Sequence, residues 1–189
     1  QTEGTGGVIL DTVHCLDLAS KQWKMLDARI PGGPTSRHVA AALPDQNKIL
    51  LHNHRCQDFV LLFDPDSSEF EKQETKGECP SPRGLHAACL LTNTKILVFA
   101  GAAQDQSMSN EAFVLDTTNW KWNKVQPVGD VCPTERASPC IAKVSDDCVV
   151  IFGGAEYSET GLKPRADVWA LDLTEGRWKL LLDDEKGPP

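Results

Sequence analysis

Four aspartates in this chain are each followed, six residues later, by a large aromatic side chain: Asp17 by Trp23, Asp64 by Phe70, Asp116 by Trp122 and Asp172 by Trp178. The pairs recur at intervals of about 50 residues, the length at which a chain repeats one supersecondary unit and stacks the copies into a shared core. A second marker, Pro-x-x-Arg, keeps the same order as Pro34…Arg37, Pro80…Arg83 and Pro133…Arg136. A third is a glycine doublet, Gly153-Gly154, with Ala100-Gly101 and Asn53-His54 as poorer copies. Three markers in one phase leave little room for any fold but an array of repeats.

The segments between the markers read as strands. Short apolar runs such as Val149-Val150-Ile151-Phe152 are bounded by Gly, Pro, Asn and Asp, which is strand chemistry rather than helix chemistry. The spacing predicts strands over 11–17 and 22–26, then 38–43, 48–52, 58–64 and 69–73. It continues with 85–91, 95–99, 111–116 and 122–126, and ends with 137–143, 148–152, 167–172 and 178–182. The residues before 11 read as a loop tail, and those from 183 onward as a linker. Four strands per repeat give units over 34–79, 80–132 and 133–189, preceded by half a unit over 1–33.

Each marker has a mechanical role in such a unit. The glycine doublet allows a turn and a close backbone approach where a Cβ would clash. Trp23, Phe70, Trp122 and Trp178 are apolar plates suited to the wedge between neighbouring sheets. Asp17, Asp64, Asp116 and Asp172 stand ahead of polar turns, where a carboxylate bonds its own backbone. Asp11, Asp58, Asn110 and Asp167 are expected to act similarly before the third strand.

This layout resembles the kelch repeat over the whole chain, with the unit over 34–79 the poorest copy. The resemblance implies an all-β fold: a kelch-type β-propeller segment of about three and a half four-stranded antiparallel blades. Closed propellers have roughly four to eight blades. An incomplete ring leaves sheet edges and faces open. The expected explanation is a segment of a longer protein whose remaining blades lie outside this sequence, or completion by another chain.

Composition narrows the function. A net charge of −8 speaks against a nucleic-acid surface, which needs clustered Lys and Arg. No apolar run approaches the roughly 18–20 residues of a membrane span. The seven cysteines are scattered, with no Cys-x-x-Cys pair and no Asn-x-Ser/Thr sequon in the chain. Reduced thiols in a cytoplasmic or nuclear protein are therefore expected.

The resemblance implies a non-catalytic protein-interaction platform without a cofactor, binding a partner protein or peptide on one loop face. That face carries the loops after the doublets, over 52–57, 101–110 and 153–165, together with the Pro-x-x-Arg linkers. Tyr157, Lys163 and Arg165 are the candidates in the third loop. Arg37, Arg83 and Arg136 admit two readings: a cationic ring at the channel mouth that clamps an acidic peptide or a terminal carboxylate, or struts paired with a carboxylate or carbonyl of the adjacent blade. His52, His54 and Cys56 alternate on one stretch and are weak metal candidates, set against a plain degenerate repeat. Catalysis finds less support. A galactose-oxidase-like copper site needs two tyrosines and Tyr157 is the only one. A sialidase-like site would draw on Arg37, Arg83, Arg136 and Tyr157, but that family's Asp boxes are missing. A purely structural spacer in a larger assembly is the remaining alternative.

Overall fold

A computed structural model describes residues 7–159 and 161–184. Residues 1–6 of the loop tail expected before 11, and 185–189 of the linker expected from 183 onward, lie outside the described residues. Seventeen strands and one 3-10 turn, Pro44–Gln46, make up the regular structure of the described part. A hairpin, β1 (Thr12–Asp17) and β2 (Gln22–Arg29), comes first. The antiparallel meander β3 (Val39–Leu43), β4 (Lys48–His52), β5 (Phe59–Asp64) and β6 (Glu69–Glu74) follows. After the short β7 (Lys76–Gly77) comes a second meander, β8 (Ala87–Thr92), β9 (Lys95–Phe99), β10 (Ala112–Asp116) and β11 (Lys121–Lys124). The third is formed by β12 (Cys140–Ser145), β13 (Cys148–Phe152), β16 (Val168–Asp172) and β17 (Arg177–Leu182). A separate hairpin, β14 (Ala155–Ser158) and β15 (Gly161–Pro164), rises between β13 and β16.

Two features were not legible in the repeat pattern. One is the β14–β15 hairpin, which turns the third doublet loop into a projecting ribbon. The other is β7, which adds in parallel to the outer edge of β11, with the Lys76 amide donating to the Trp120 carbonyl at 2.9 Å. Val128 donates to Gly176 at the same distance on the next sheet. These two linkers thus run along the outer edge of the sheet that follows each of them.

The sheets pack face to face through alternating side chains. Along β9, Ile96 and Val98 join a cluster with Leu43, Leu50 and Leu62, whereas Leu97 and Phe99 join one with Val149, Ile151 and Leu171. Period-two alternation therefore gives the central sheet two apolar faces, one for each neighbour. Trp122 sits in the first cluster and Trp178 in the second, where its ring lies 5.2 Å from that of Phe99. Phe70 packs with Ile30, Leu51 and Leu61 in the next seam. In every seam the aromatic faces the preceding sheet. Trp23 occupies the same register position in β2, has no sheet before it among the described residues, and is 68% exposed.

The turn aspartates behave as expected. Asp17, Asp64, Asp116 and Asp172 accept from the amides of Ser20, Asp66, Thr118 and Thr174 at 2.6–2.9 Å. The second residue of each true doublet is in close backbone contact. A Cβ on Gly154 would stand 2.7 Å from the Ala137 carbonyl, and one on Gly101 would stand 2.9 Å from that of Gly84.

The innermost strands start later than the pattern suggested, because a left-handed residue precedes each of them. These are Arg37 (φ 59°), Leu85 (φ 57°) and Ser138 (φ 54°). Their backbones form a relay from sheet to sheet: Leu85 donates to the Arg37 carbonyl at 3.1 Å, and Ser138 donates to that of Leu85 at 2.6 Å.

Candidate functional site

That relay corrects the sequence register at one place. Arg83 and Arg136 stand four residues before β8 and β12, whereas Arg37 stands two before β3. Arg37 is therefore the counterpart of Leu85 and Ser138, and Thr35 occupies the arginine position. The three arginines are not equivalent members of a ring.

Arg136 is 0% exposed and Arg83 is 4% exposed. Both are held in one pattern. The Arg136 Nη1 and Nη2 donate to the two Asp167 carboxylate oxygens at 2.6 and 2.9 Å, its Nε donates to the Thr134 carbonyl, and Nη1 reaches the Gly153 carbonyl. Arg83 likewise donates to Glu111, to the Ser81 carbonyl and hydroxyl, and to the Ala100 carbonyl. Each carboxylate stands directly before the third strand of the arginine's own sheet, not in the adjacent blade. Glu111 fills this role, whereas Asn110, expected to bond its own backbone before the third strand, donates to the Pro133 carbonyl at 2.9 Å. The pairs tie the inner strand, the doublet and the third strand together, so their donors point inward. Burial alone would raise the Glu111 carboxyl, but the hydrogen bonds from Arg83 and Lys124 outweigh it and bring it down to about 2. Asp167 is likewise lowered despite its burial, by Arg136 and the Trp169 indole.

With Thr35 in the arginine position, the β3–β6 sheet solves the same problem from the other side. Arg55, in the doublet loop, donates to the Gly33 and Pro34 carbonyls at 3.0 and 2.8 Å. Gly33 is the register counterpart of Ser81 and Thr134. This substitution was invisible in the sequence because Arg55 comes from a different segment of the repeat.

The doublet loops and the linkers share one face, joined by the bridges Gly84↔Ala102, Ser109↔Arg136 and Ala137↔Ala155. Over the relay lies a pocket of about 810 Å³ whose walls include Arg37, Leu85, Met108, Ser138, Tyr157 and Leu162. Arg37 is exposed, and its side chain makes no ion pair among the described residues. The Tyr157 hydroxyl donates to Gln106 Oε1 at 2.9 Å, linking the β14–β15 hairpin to the neighbouring loop. Lys163 is exposed on β15, with its Nζ 3.9 Å from Glu156. Arg165 is nearly buried and divided among Glu156, Asp167 and Asp184. Of the six binding candidates, the structure brings Arg37 and Tyr157 to one pocket, leaves Lys163 exposed on the hairpin beside Glu156, and turns the other three inward.

The weak metal candidates do not converge. His52 is buried, and its Nδ1 lies 3.0 Å from Nε2 of His86 across the seam between sheets. Burial first, and then the Arg83 charge, push His52 down to about 4. Cys56 is buried with its thiol on Asn53, and burial raises it. His54 remains at the loop surface. Among the described residues no group of three or more His, Cys, Asp or Glu side chains is placed to hold a metal ion. The His52–His86 contact was missed because the two residues are in different repeats.

Four-stranded meanders packed face to face, with an aromatic plate in each seam and a buried arginine strut within the second and third meanders, define a β-propeller repeat protein. The comparisons with known proteins agree. The family model of the KLHDC2/KLHL20/DRC7 Kelch-repeats domain matches residues 51–189, and the chain belongs to the kelch-repeat family. It is 32% identical over 127 residues to Kelch domain-containing protein 2 of Bos taurus, covering 67% of this chain and 30% of that protein. It is 27% identical to Acyl-CoA-binding domain-containing protein 5 of Arabidopsis thaliana, over 77% of this chain and 23% of that one. It is also 36% identical to Dynein regulatory complex subunit 7 of Chlamydomonas reinhardtii, over 47% of this chain and 8% of that one. The chain thus spans less than a third of the length of these relatives. The solved structure of YjhT shares the fold with a TM-score of 0.73 at 19% identity, over 93% of this chain and 63% of that one.

Proposed function

We propose that the chain is a non-catalytic interaction module that takes a peptide segment of a partner protein, one bearing an acidic group, on the doublet-loop face. The observation that supports this reading is the pocket over the relay. It sets an unpaired cation, Arg37, against Leu85, Met108, Leu162 and the Tyr157 ring. A carboxylate recognised by a guanidinium and flanked by apolar contacts is a peptide-binding chemistry. Loops carried on a rigid sheet scaffold are where such contacts collect.

A panel of short acidic peptides, with free and amidated C-termini, tests the reading by fluorescence polarisation. Arg37→Glu abolishes binding while the melting temperature holds. Binding that survives Arg37→Glu and Tyr157→Ala sinks it. A glycoside-substrate screen combined with elemental analysis for bound metal tests the catalytic alternatives.

The same reading includes completion of the ring. Beside the β1–β2 hairpin an apolar cavity of about 960 Å³, lined in part by Val8, Leu10, Leu26, Ile49, Leu51 and Phe63, lies where two inner strands would complete a four-stranded blade. We take its occupant, and the sheet against Trp23, to be blades of the same protein or of another chain.

A further inference from the structure

The strut geometry singles out Ser81. Its hydroxyl accepts from Arg83 Nη2 at 2.8 Å, and its side chain is exposed in the irregular linker between β7 and β8. Register counterparts serve as internal controls. Gly33 has no hydroxyl, and Thr134 lies beside an arginine whose guanidinium is taken by both oxygens of Asp167. Arg83 differs, because it engages one oxygen of Glu111 while Lys124 holds the other at 2.6 Å. Two cations thus share one carboxylate. All of these but Lys124 border a polar cleft of about 300 Å³, with Glu135 as its further charge. Ser81 is also followed by Pro82, which holds the serine extended as a proline-directed kinase requires.

We propose that Ser81 is a phosphoacceptor for a proline-directed serine/threonine kinase, and that Arg83, backed by Lys124, clamps the phosphoserine. The γ-phosphoryl group of a nucleoside triphosphate is transferred to Ser81 Oγ. The hydroxyl proton is lost to the kinase's base, and the nucleoside diphosphate leaves. The new group brings a charge of about −1.5 to −2 and three acceptor oxygens to a guanidinium already aimed at the site. It competes with Glu111 for Arg83 and leaves Glu111 to Lys124. The cleft, on the doublet-loop face, already holds two carboxylates to one guanidinium and becomes more acidic.

The test is to incubate the folded protein with a proline-directed kinase and ATP, and to map phosphate by mass spectrometry. Ser81 is modified, and Ser81→Ala, at an exposed loop position, loses that phosphate. If Ser81 stays unmodified in the folded chain while the urea-unfolded chain or a peptide of residues 76–86 is labelled, the site is not a phosphoacceptor. The clamp is read separately by phosphorus NMR, without any variant that risks misfolding. The second ionisation of the folded phosphoprotein falls below the value of about 6 typical of a free phosphoserine. It returns to that value in urea. An equal midpoint in both states overturns the clamp. Neither readout depends on peptide binding, so failure here is distinct from failure of the interaction reading.

Discussion

Arg136 and Asp167 form a two-pronged ion pair with N–O distances of 2.6 and 2.9 Å, in a place water does not reach. A side chain so placed is a strut, and its removal strands the partner's charge in a poorly solvating interior. Asp167→Ala is expected to cost about 3–5 kcal/mol in chemical denaturation. Glu111→Ala, whose carboxylate is partly solvated, costs less, about 1–3 kcal/mol. Arg37→Glu, at the surface, leaves stability within about 0.5 kcal/mol. A loss at Arg37 equal to that at Asp167 would restore the equivalence of the three arginines.

Two glycines with the same backbone angle separate conformational cost from close contact. Gly129 (φ +91°) has open space where a Cβ would be, whereas Gly154 (φ +90°) has the Ala137 carbonyl 2.7 Å away. Gly129→Ala pays only for the left-handed backbone, about 1–2 kcal/mol. Gly154→Ala adds a steric term of at least about 1 kcal/mol. Matched urea titrations check the difference, and equal losses would mean that the doublet serves the turn alone.

The aromatic plates are equivalent by register and unequal by burial. Trp178→Ala removes a side chain 7% exposed in a filled seam and costs about 3–5 kcal/mol. Trp23→Ala, at 68% exposure, costs under about 1 kcal/mol in this chain. If Trp23 proves as costly as Trp178, then something covers it in solution.

Stability also depends on the buried imidazole pair. Burial lowers His52 to about 4, and His86 to about 3 with help from His52, Arg83 and His38, both from an ordinary 6.5. Below pH 6.5 the unfolded chain takes up protons that the folded chain refuses. Stability is therefore fully present above about pH 6.5 and falls as the pH drops toward 4. The stabilisation from Glu111, lowered from 4.5 to about 2, is fully present above pH 4.5 and is lost only below it, so the slope between 6.5 and 4.5 belongs to the histidines. Denaturation free energies measured between pH 5 and 7 show a slope that His86→Gln reduces. An unchanged slope would show that the pair is solvated.

Much of this protein was written in its repeat. The strands at 48–52, 95–99 and 148–152, the turn aspartates and the seam aromatics all follow from local chemistry recurring in phase. Such features are legible because a strand, a turn and an apolar plate each need only their own few residues. The site was legible less far: Tyr157 and Arg37 stood out as residues, but not as walls of one pocket. Pro34-x-x-Arg37 matched its counterparts in letters and missed them by two positions in space, since register is set where the left-handed residues link sheet to sheet. Arg55 standing in for an absent strut, Glu111 holding Arg83, the His52–His86 contact and the Tyr157–Gln106 link of the β14–β15 ribbon all arise between segments far apart in the chain. Those contacts exist only once the sheets have stacked. Until then nothing within any one repeat distinguishes a buried cation from one that faces solvent.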